Sequence, residues 1–428
     1  MYSTLKTNLL FLFTGLIINT GFAQQKPDTL TFTLQQAEAR FLSNNIQLLA
    51  QKYSIDSARA NIITARLYDN PAFSYSNGFY NANTKKVFDL SKDNWEASAQ
   101  INQLIKTAGK RNKAVQVMQT GARITEYQFF DLLRTLRFTL RDDFYNMYYL
   151  QQSGKLYTQE IRSLQQTTVA FEEQVKKGNI ALKELIRIKS QLYTLQAELV
   201  SLQNTVDDVQ SEFKLLMRAK ADAYIVPVSN IKEERKDIIS GITYQSLLDS
   251  AYKNRYDLKI AETNVVLNQQ NLRLQKAMAV PDITLGVSYD RLGSYVKNFN
   301  SIGFSIPLPL FNRNQGNIKQ ATAMVESGKL QLTGMKDQLE SEVANRYLGA
   351  VRAEKLINSF DPAFPADFDH LIGEVLKNFE RRNLTLLEFI DFYDSYKQNV
   401  LQLNNLRYNR ISQLEQLNYT TGSLIFNK

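Results

Sequence analysis

The stretch from Pro281 to Asn317 restricts the possible folds more than any other part of the chain. From Ile283 to Tyr289 every second residue is large and apolar, and the residues between them are small and polar. This period of two predicts a β-strand with one apolar face. The alternation returns from Ile302 to Leu308, so the stretch is predicted to form a hairpin over about 281–309. Its strands, at about nine residues each, have the length of a tilted strand that crosses a membrane.

A second hairpin of the same kind is predicted over about 71–104. Large residues alternate with serine after Pro71, and the alternation resumes from Trp95 to Ile101 beyond a polar loop. The aromatic side chains lie near the strand ends, where a membrane-interface belt would place them.

Most of the remaining chain is predicted to be helical, because glycine (17) and proline (8) are scarce in 428 residues. The segment 108–177 contains no proline and predicts a helix about 100 Å long. Gly178-Asn179 ends it, and a return helix follows over 180–218. Apolar residues spaced three and four apart form a heptad seam along this return helix: Leu185, Ile188, Leu192, Leu195, Leu199, Leu202, Val206, Val209, Phe213 and Leu216.

The same order of elements occurs twice. Pro281 repeats Pro71 at an offset of 210, and NLTLLEFI, starting at Asn383, repeats NIALKELI, starting at Asn179. We expect a first repeat over 24–226, a connector over 227–241 and a second repeat over 242–428. The second repeat has a long helix over about 315–380, which the prolines in 361–365 should break, and a return helix over about 384–420.

The N-terminal residues and the composition indicate an exported protein that is not an enzyme. Residues 1–23 have a lysine, an apolar run and a small residue before Gln24, the pattern of a secretory signal peptide. The absence of cysteine excludes disulfides and thiolate sites, and no catalytic or phosphate-binding motif is present. The net charge of +9 is spread along the chain, so no nucleic-acid partner is expected. No cofactor or metal site is expected either, since the only histidine, His370, has no second histidine or cysteine as a partner.

These patterns predict a mainly α fold with a small membrane β part: two tandem repeats giving four β-strands and very long coiled-coil helices. Four strands cannot close a barrel, and open edges in lipid leave backbone groups unpaired. The chain should therefore form an oligomer. Twelve strands from three copies leave a water-filled lumen, whereas eight from two copies give a filled interior, so we favour a trimer.

The two-fold repeat, the phrase FSIPLPLFNRNQGNI and the segment NLTLLEFIDFYDSY resemble the TolC family of outer-membrane efflux proteins, and the wording is similar to its heavy-metal efflux branch. The resemblance covers about residues 30–422. It implies a trimeric α/β channel-tunnel in the outer membrane of a Gram-negative bacterium, extending into the periplasm. It also implies two partners: a periplasmic adaptor and an inner-membrane pump, of the RND type.

The resemblance also implies a gate at the periplasmic end. Acidic residues just beyond the turn in the second repeat correspond to Glu388 and Asp391, and Glu184 and Arg187 match them in the first repeat. Three copies of each acid would form a ring that favours cations, although the opposite sign of Arg187 puts simple cation selectivity in doubt. The alternative is a solvated helix face.

Two further groups of residues are candidates for contacts. The turns match the adaptor-docking tips of the family, with Arg382 in place of the usual glycine; they are Lys177, Gly178, Asn179, Arg382, Asn383 and Leu384. The basic residues after the strands would either meet anionic lipid head groups or be plainly solvated; they are Lys106, Lys110, Arg111, Lys113 and Arg313.

The sequence thus predicts a passive exit duct of a tripartite efflux system, which carries metal ions or small toxic compounds. The alternatives are a type I protein secretion channel of the same family and a soluble periplasmic coiled-coil scaffold. The sequence does not predict the substrate, because in such systems the pump selects it.

Overall fold

The computed structural model describes residues 28–229, 238–292, 296–361, 364–381 and 383–426. The predicted signal peptide, 1–23, lies outside the described residues. The first repeat contains β1 (Thr29–Phe32), α1 (Leu34–Asn44), α2 (Ile46–Arg66), β2 (Ala72–Asn77), β3 (Tyr80–Asn81), β4 (Lys86–Val87), β5 (Ala97–Ile105), α3 (Lys110–Lys176), α4 (Leu182–Met217) and β6 (Tyr224–Pro227). The second contains α5 (Tyr244–Asn254), α6 (Tyr256–Met278), β7 (Ile283–Asp290), β8 (Phe299–Ser305), α7 (Gln315–Asn358), α8 (Phe364–Glu380) and α9 (Leu386–Thr421).

The two hairpins join into one antiparallel sheet with the strand order β2-β5-β7-β8. The β5–β7 pair links the repeats, with Ile101 opposite Val287 and Ile105 opposite Ile283. One face of the sheet is apolar and largely exposed; it includes Phe73, Tyr75, Ile101, Leu285, Val287, Ile302 and Phe304. The other face is polar, with hydroxyl pairs across the strands such as Ser288 and Ser301, whose oxygens lie 2.7 Å apart. The predicted fold class, mainly helical with four membrane-type strands, is confirmed.

The longest helix, α3, has 67 residues and is held at both ends by left-handed residues. Gly109 precedes it with φ 65°, and Gly178 follows it with φ 76°. The predicted seam of α4 is buried along its length, since Leu185, Ile188 and Leu195 lie in the core against α3. The heptad prediction is therefore confirmed.

The sequence before the first hairpin predicts one amphipathic helix from about Leu34 to Leu67. This prediction is wrong, because the chain breaks at Asn45 between α1 and α2. The Asn45 side chain accepts a hydrogen bond from the Leu48 amide at 3.0 Å and donates one to the Leu216 carbonyl at 3.0 Å. It therefore caps α2 and also binds the end of α4. Arg255 occupies the equivalent break between α5 and α6.

Sequence reasoning also missed a small parallel pairing. β1 pairs with β6 from Thr29 and Tyr224 to Phe32 and Pro227, and it ties the start of the described chain to the end of the first repeat. In the second repeat α7 ends at Asn358 and α8 begins at Phe364, where the prolines predicted an interruption. Pro362 and Ala363 lie outside the described residues.

Three apolar clusters form the core of the described part of the chain. One packs α1, α2, α3 and α4 around Phe41, Phe144 and Phe213. A second, in the other repeat, packs α5, α6, α7 and α9 around Leu247 and Leu417. The third joins both repeats near the helical turns, where Phe389 stacks on Phe379 with ring centroids 4.1 Å apart. The turns are therefore fixed to each other at the end of the molecule opposite the sheet.

Candidate functional site

The turn between α3 and α4 is closed by backbone hydrogen bonds that leave its side chains exposed. The Gly178 amide donates to the Val175 carbonyl at 3.0 Å, and the Asn179 amide donates to the Gln174 carbonyl at 2.9 Å. This pair of backbone hydrogen bonds around a glycine in the left-handed conformation is a Schellman motif. Lys177, Gly178 and Asn179 are all exposed, so this predicted tip is available for contact with another molecule.

The turn between α8 and α9 repeats part of this arrangement. The Asn383 amide donates to the Asn378 carbonyl at 2.9 Å, as Asn179 does to Gln174. The amide side chains also correspond, at 3.3 Å for Asn383 to Asn378 and 2.9 Å for Asn179 to Gln174. Arg382 lies outside the described residues. Leu384, half-buried, packs against the apolar cluster shared by the repeats.

The predicted gate residue Glu388 is part of the helix cap at the start of α9. The Thr385 hydroxyl and amide both donate to the Glu388 carboxylate, at 2.7 and 2.8 Å, and the Glu388 amide donates back to the Thr385 hydroxyl at 3.3 Å. This is a capping box. The side-chain and backbone hydrogen bonds from Thr385 lower the pKa of Glu388, so its carboxylate is held charged at the start of α9.

The first repeat lacks this cap, because Ala181 stands where Thr385 does. Glu184 is half-buried in the first turn of α4, and Arg187 is exposed one turn later. Asp391 is exposed at the corresponding point of α9. All four predicted gate residues thus lie in the first two turns of the return helices, next to the turns.

The five basic residues near the sheet have different surroundings. Lys106 pairs with Asp69 at 3.1 Å, the Arg111 guanidinium lies 3.8 Å from the centre of the Tyr68 ring, and the Lys113 ammonium donates to the Ala108 carbonyl at 2.6 Å. Arg313 is exposed before α7. Four of the five remain on the surface.

Lys110 does not fit the predicted contact with lipid, because it is only 8% exposed. Its ammonium donates to the Val280 carbonyl and to the Asp282 carboxylate, both at 2.6 Å. The Thr107 amide also donates to Asp282, at 2.8 Å. These bonds join the start of α3 to the start of β7, so Lys110 fastens one repeat to the other. No local sequence pattern indicates this pairing, since Lys110 and Asp282 are distant along the chain.

Sequence reasoning also missed a buried ion network at the middle of the molecule. Arg141 of α3 donates to both carboxylate oxygens of Glu415 on α9, at 2.8 and 2.9 Å, and to Glu38 of α1 at 2.8 Å. It joins three helices from both repeats.

Among the described residues no group of three or more histidine, cysteine or acidic side chains could hold a metal ion. Within the same residues, no helix is long and apolar enough to cross a membrane.

The chain is similar in sequence to CzcC and in fold to VceC and CusC. It is 21% identical over 297 residues to the cobalt-zinc-cadmium resistance protein CzcC of Cupriavidus metallidurans, which covers 69% of this chain and 68% of CzcC. Its fold matches the outer membrane protein VceC of Vibrio cholerae with a TM-score of 0.69 at 17% identity, covering 91% of this chain and 96% of VceC. It matches CusC with a TM-score of 0.71 at 16% identity, covering 91% and 92%.

The family comparison covers the first repeat to the end of α4 and the second repeat to the end of α7. A model described as "Outer membrane efflux protein" matches residues 37–216 and 247–358, which is more than half of the chain. The predicted resemblance, the outer-membrane location and the efflux function are therefore confirmed. The chain belongs to the family of outer membrane efflux proteins.

Proposed function

We propose that three copies of this chain form the outer-membrane exit duct of a tripartite efflux system. The observation that carries the proposal is a sheet with one exposed apolar face and two uncovered edges, β2 and β8, joined directly to a helix about 100 Å long. An apolar sheet face is stable in lipid, and its edges need partners there. Pairing of β8 with β2 of the next copy satisfies both edges, and three copies close a sheet of twelve strands.

The helices support the same assembly. A stripe on α4 is more than half exposed although apolar: Leu182, Ile186, Tyr193 and Val200. Their equivalents on α9, at the repeat offset of 204, are Leu386, Ile390, Lys397 and Asn404, and most of these are buried. Asn404 of that face donates to Ser153 of α3 at 3.1 Å. Since α3 corresponds to α7 and α8 in the second repeat, the α4 stripe should pack against α7 and α8 of the neighbouring copy.

The gate lies at the helical turns. Glu388 and Asp391, with Glu184 and Arg187, would converge around the three-fold axis and control passage. Glu388 is held ionised by its cap on α9, so it suits a fixed ring charge. Arg187 in the alternate positions would partly neutralise that ring.

The turns are also the proposed docking surface for the periplasmic adaptor, through Lys177, Gly178, Asn179, Asn383 and Leu384. Arg382 completes this predicted set. The first turn is basic, with Lys176, Lys177, Lys183 and Arg187 all exposed. A partner with acidic side chains opposite this turn would therefore dock more tightly.

The substrate and the pump are proposed from the relatives. The similarity to CzcC, a cobalt-zinc-cadmium resistance protein, supports metal ions as the cargo. An inner-membrane pump of the RND type is proposed as their source, as the resemblance of the sequence to the heavy-metal efflux branch implies. The duct itself is proposed to be passive, with no catalytic activity. Lys106, Arg111, Lys113 and Arg313 are proposed to lie at the head groups of the membrane.

The function is tested by single-channel recording of the purified protein in planar bilayers. The trimer should conduct, and the double replacement of Glu388 and Asp391 by alanine should raise its conductance several-fold, because it shortens three copies of two side chains that are proposed to narrow the entrance. The matched control replaces Glu326 and Asp337 of α7, two acids away from the turns, and should leave conductance unchanged. A protein that is monomeric without detergent and does not conduct would refute the proposal.

A further inference from the structure

One buried carboxyl group in α3 has no hydrogen-bond partner among the described residues. Glu160 is 2% exposed, and neither of its carboxylate oxygens accepts or donates a hydrogen bond within that part of the chain. It lies where α3, α4 and α9 meet, in the half of the molecule that carries the turns. An ionised carboxylate in such a position would lack both water and a compensating donor.

The charged neighbours of Glu160 are already committed to each other. The ammonium of Lys397, on α9, donates to Glu198 of α4 at 2.9 Å and lies 3.5 Å from Asp394. Asp394 also accepts from Gln191 at 2.8 Å. The carboxylates of Glu198, Asp394 and Glu160 thus lie around the ammonium of Lys397. The first two pair with it, whereas Glu160 is not within hydrogen-bond distance of it.

Two tyrosines complete the surroundings and do not supply a charge. The Tyr393 hydroxyl donates to the backbone carbonyl of Glu160 at 3.1 Å, and Tyr157 lies one turn earlier on α3. Burial raises the pKa of both tyrosines, so both stay protonated. The α3–α9 contact at this level therefore consists of apolar packing, this hydrogen bond and a carboxyl group that must be neutral to remain buried.

We propose that the contact between α3 and α9 in this half depends on a proton bound to Glu160: the helices stay packed while the carboxyl is neutral and separate more readily as the medium becomes alkaline. Burial raises the pKa of Glu160 to about 8; Lys397 opposes the rise, and Asp394 and Glu198 add to it. When the helices separate, water reaches the group and its pKa returns toward the ordinary value of about 4.3. The packed state therefore holds a proton that the separated state releases between these two values.

The direction of the pH dependence follows from this difference. The equilibrium for separation should rise about tenfold per pH unit between pH 5 and 8 and become constant above about pH 8, where both states are ionised. Because α9 carries Glu388 and Asp391 at its start, separation at this level would loosen the entrance. That last step rests on the proposed function, whereas the packing equilibrium does not.

Hydrogen exchange of the intact trimer in detergent tests the packing equilibrium. Backbone exchange is followed in the α3 segment 156–170 and the α9 segment 388–402 from pH 5.5 to pH 9, and each rate is divided by that of an unstructured peptide of the same sequence. The wild-type protein should lose protection about tenfold per pH unit up to about pH 8 and then level off. Glu160→Gln, which keeps the shape and cannot ionise, should remove the slope.

Asp143 provides a matched control on the same helix. It is also buried, and burial, with the charges of Glu212 and Asp142, raises its pKa to about 8. Asp143→Asn should leave the slope in 156–170 and 388–402 intact. Equal slopes in the wild type and Glu160→Gln would overturn the proposal, and so would loss of the slope in Asp143→Asn.

A second variant keeps the proposal testable if Glu160→Gln fails to assemble. Glu198→Gln removes a negative neighbour and frees Lys397 for Glu160, so the constant region should begin at a lower pH. No downward shift would count against the proposal. These measurements need no efflux or conductance, so a negative result here leaves the proposed duct untouched, and a failure to conduct leaves the exchange result valid.

Discussion

At the scale of single residues, charged side chains are buried beside their partners where helices of the two repeats meet. Arg141 is 3% exposed and Glu415 is 1% exposed, and their two hydrogen bonds are reinforced by the bond from Arg141 to Glu38. A buried pair of this kind adds little by itself, but removal of one partner leaves the other charge without compensation. Arg141 is therefore a point at which a single substitution should be costly.

We expect Arg141→Met to destabilise the protein by about 3 to 5 kcal/mol, since it removes the guanidinium whose charge compensates the buried Glu415 carboxylate. The matched control is Arg59→Met on α2, which breaks the exposed pair with Glu126 at 2.7 Å and should cost less than about 1 kcal/mol. Thermal unfolding of the detergent-solubilised protein compares the two variants. Equal shifts of the unfolding midpoint would contradict the prediction.

The sequence could not assign these residue roles. A lysine after a strand and a glutamate within a long helix are normally solvated. The carboxylates that pair with Lys110 and Arg141 include Asp282 and Glu415, which come from the other repeat. The gate acids are different, because the motif around them carried the prediction. The capping box of Glu388 is also visible in the sequence, because Thr385 lies three residues before it.

At the scale of helices and strands, the ends of the elements determine how the halves of the molecule meet. α9 ends at Gly422 with φ 69°, against the junction of α5 and α6. A Cβ atom at Gly422 would lie 3.0 Å from the carbonyl carbon of Asn254. The returning helix of the second repeat thus ends directly against the backbone from which α6 begins.

Gly422→Ala should destabilise the protein by more than about 1 kcal/mol, because it combines a left-handed backbone with a close backbone contact. Gly121→Ala is the opposite case: Gly121 lies inside α3, and a Cβ there meets nothing within 4 Å. It should stabilise the protein by about 0.5 to 1 kcal/mol. Unfolding midpoints that move in the same direction for both would refute this.

Long periodic elements were predictable and short ones were not. The α4 seam and the four strands could be predicted because each repeats one spacing over many residues. The β1–β6 pair is four residues long on each side and joins segments far apart, so no local pattern identifies it. The break at Asn45 was missed because the apolar spacing continues through it, and the carbonyl of Leu216 that holds it is a tertiary partner.

At the scale of the whole molecule, the exposed apolar stripe of α4 is the surface that a single chain cannot cover. Tyr193→Glu places a charge in that stripe, and we expect it to shift the protein from trimer to monomer, because burying an unpaired charge is costly. Thr194→Glu, at the adjacent exposed residue outside the stripe, should leave the trimer intact. Sedimentation in detergent measures both; trimers in both cases would show that the stripe is not an interface.

The open edges of the sheet also affect how the newly synthesised chain assembles. A newly made chain carries two unpaired strands and an apolar sheet face, and such a surface associates with any available strand. Because closure of the sheet needs three chains, its rate should fall steeply as the concentration of the chain falls. Incorrect pairing of the open strands competes with closure at every concentration. The chain should therefore require a chaperone between its synthesis and closure of the sheet. Low expression should yield fewer assembled channels per chain made.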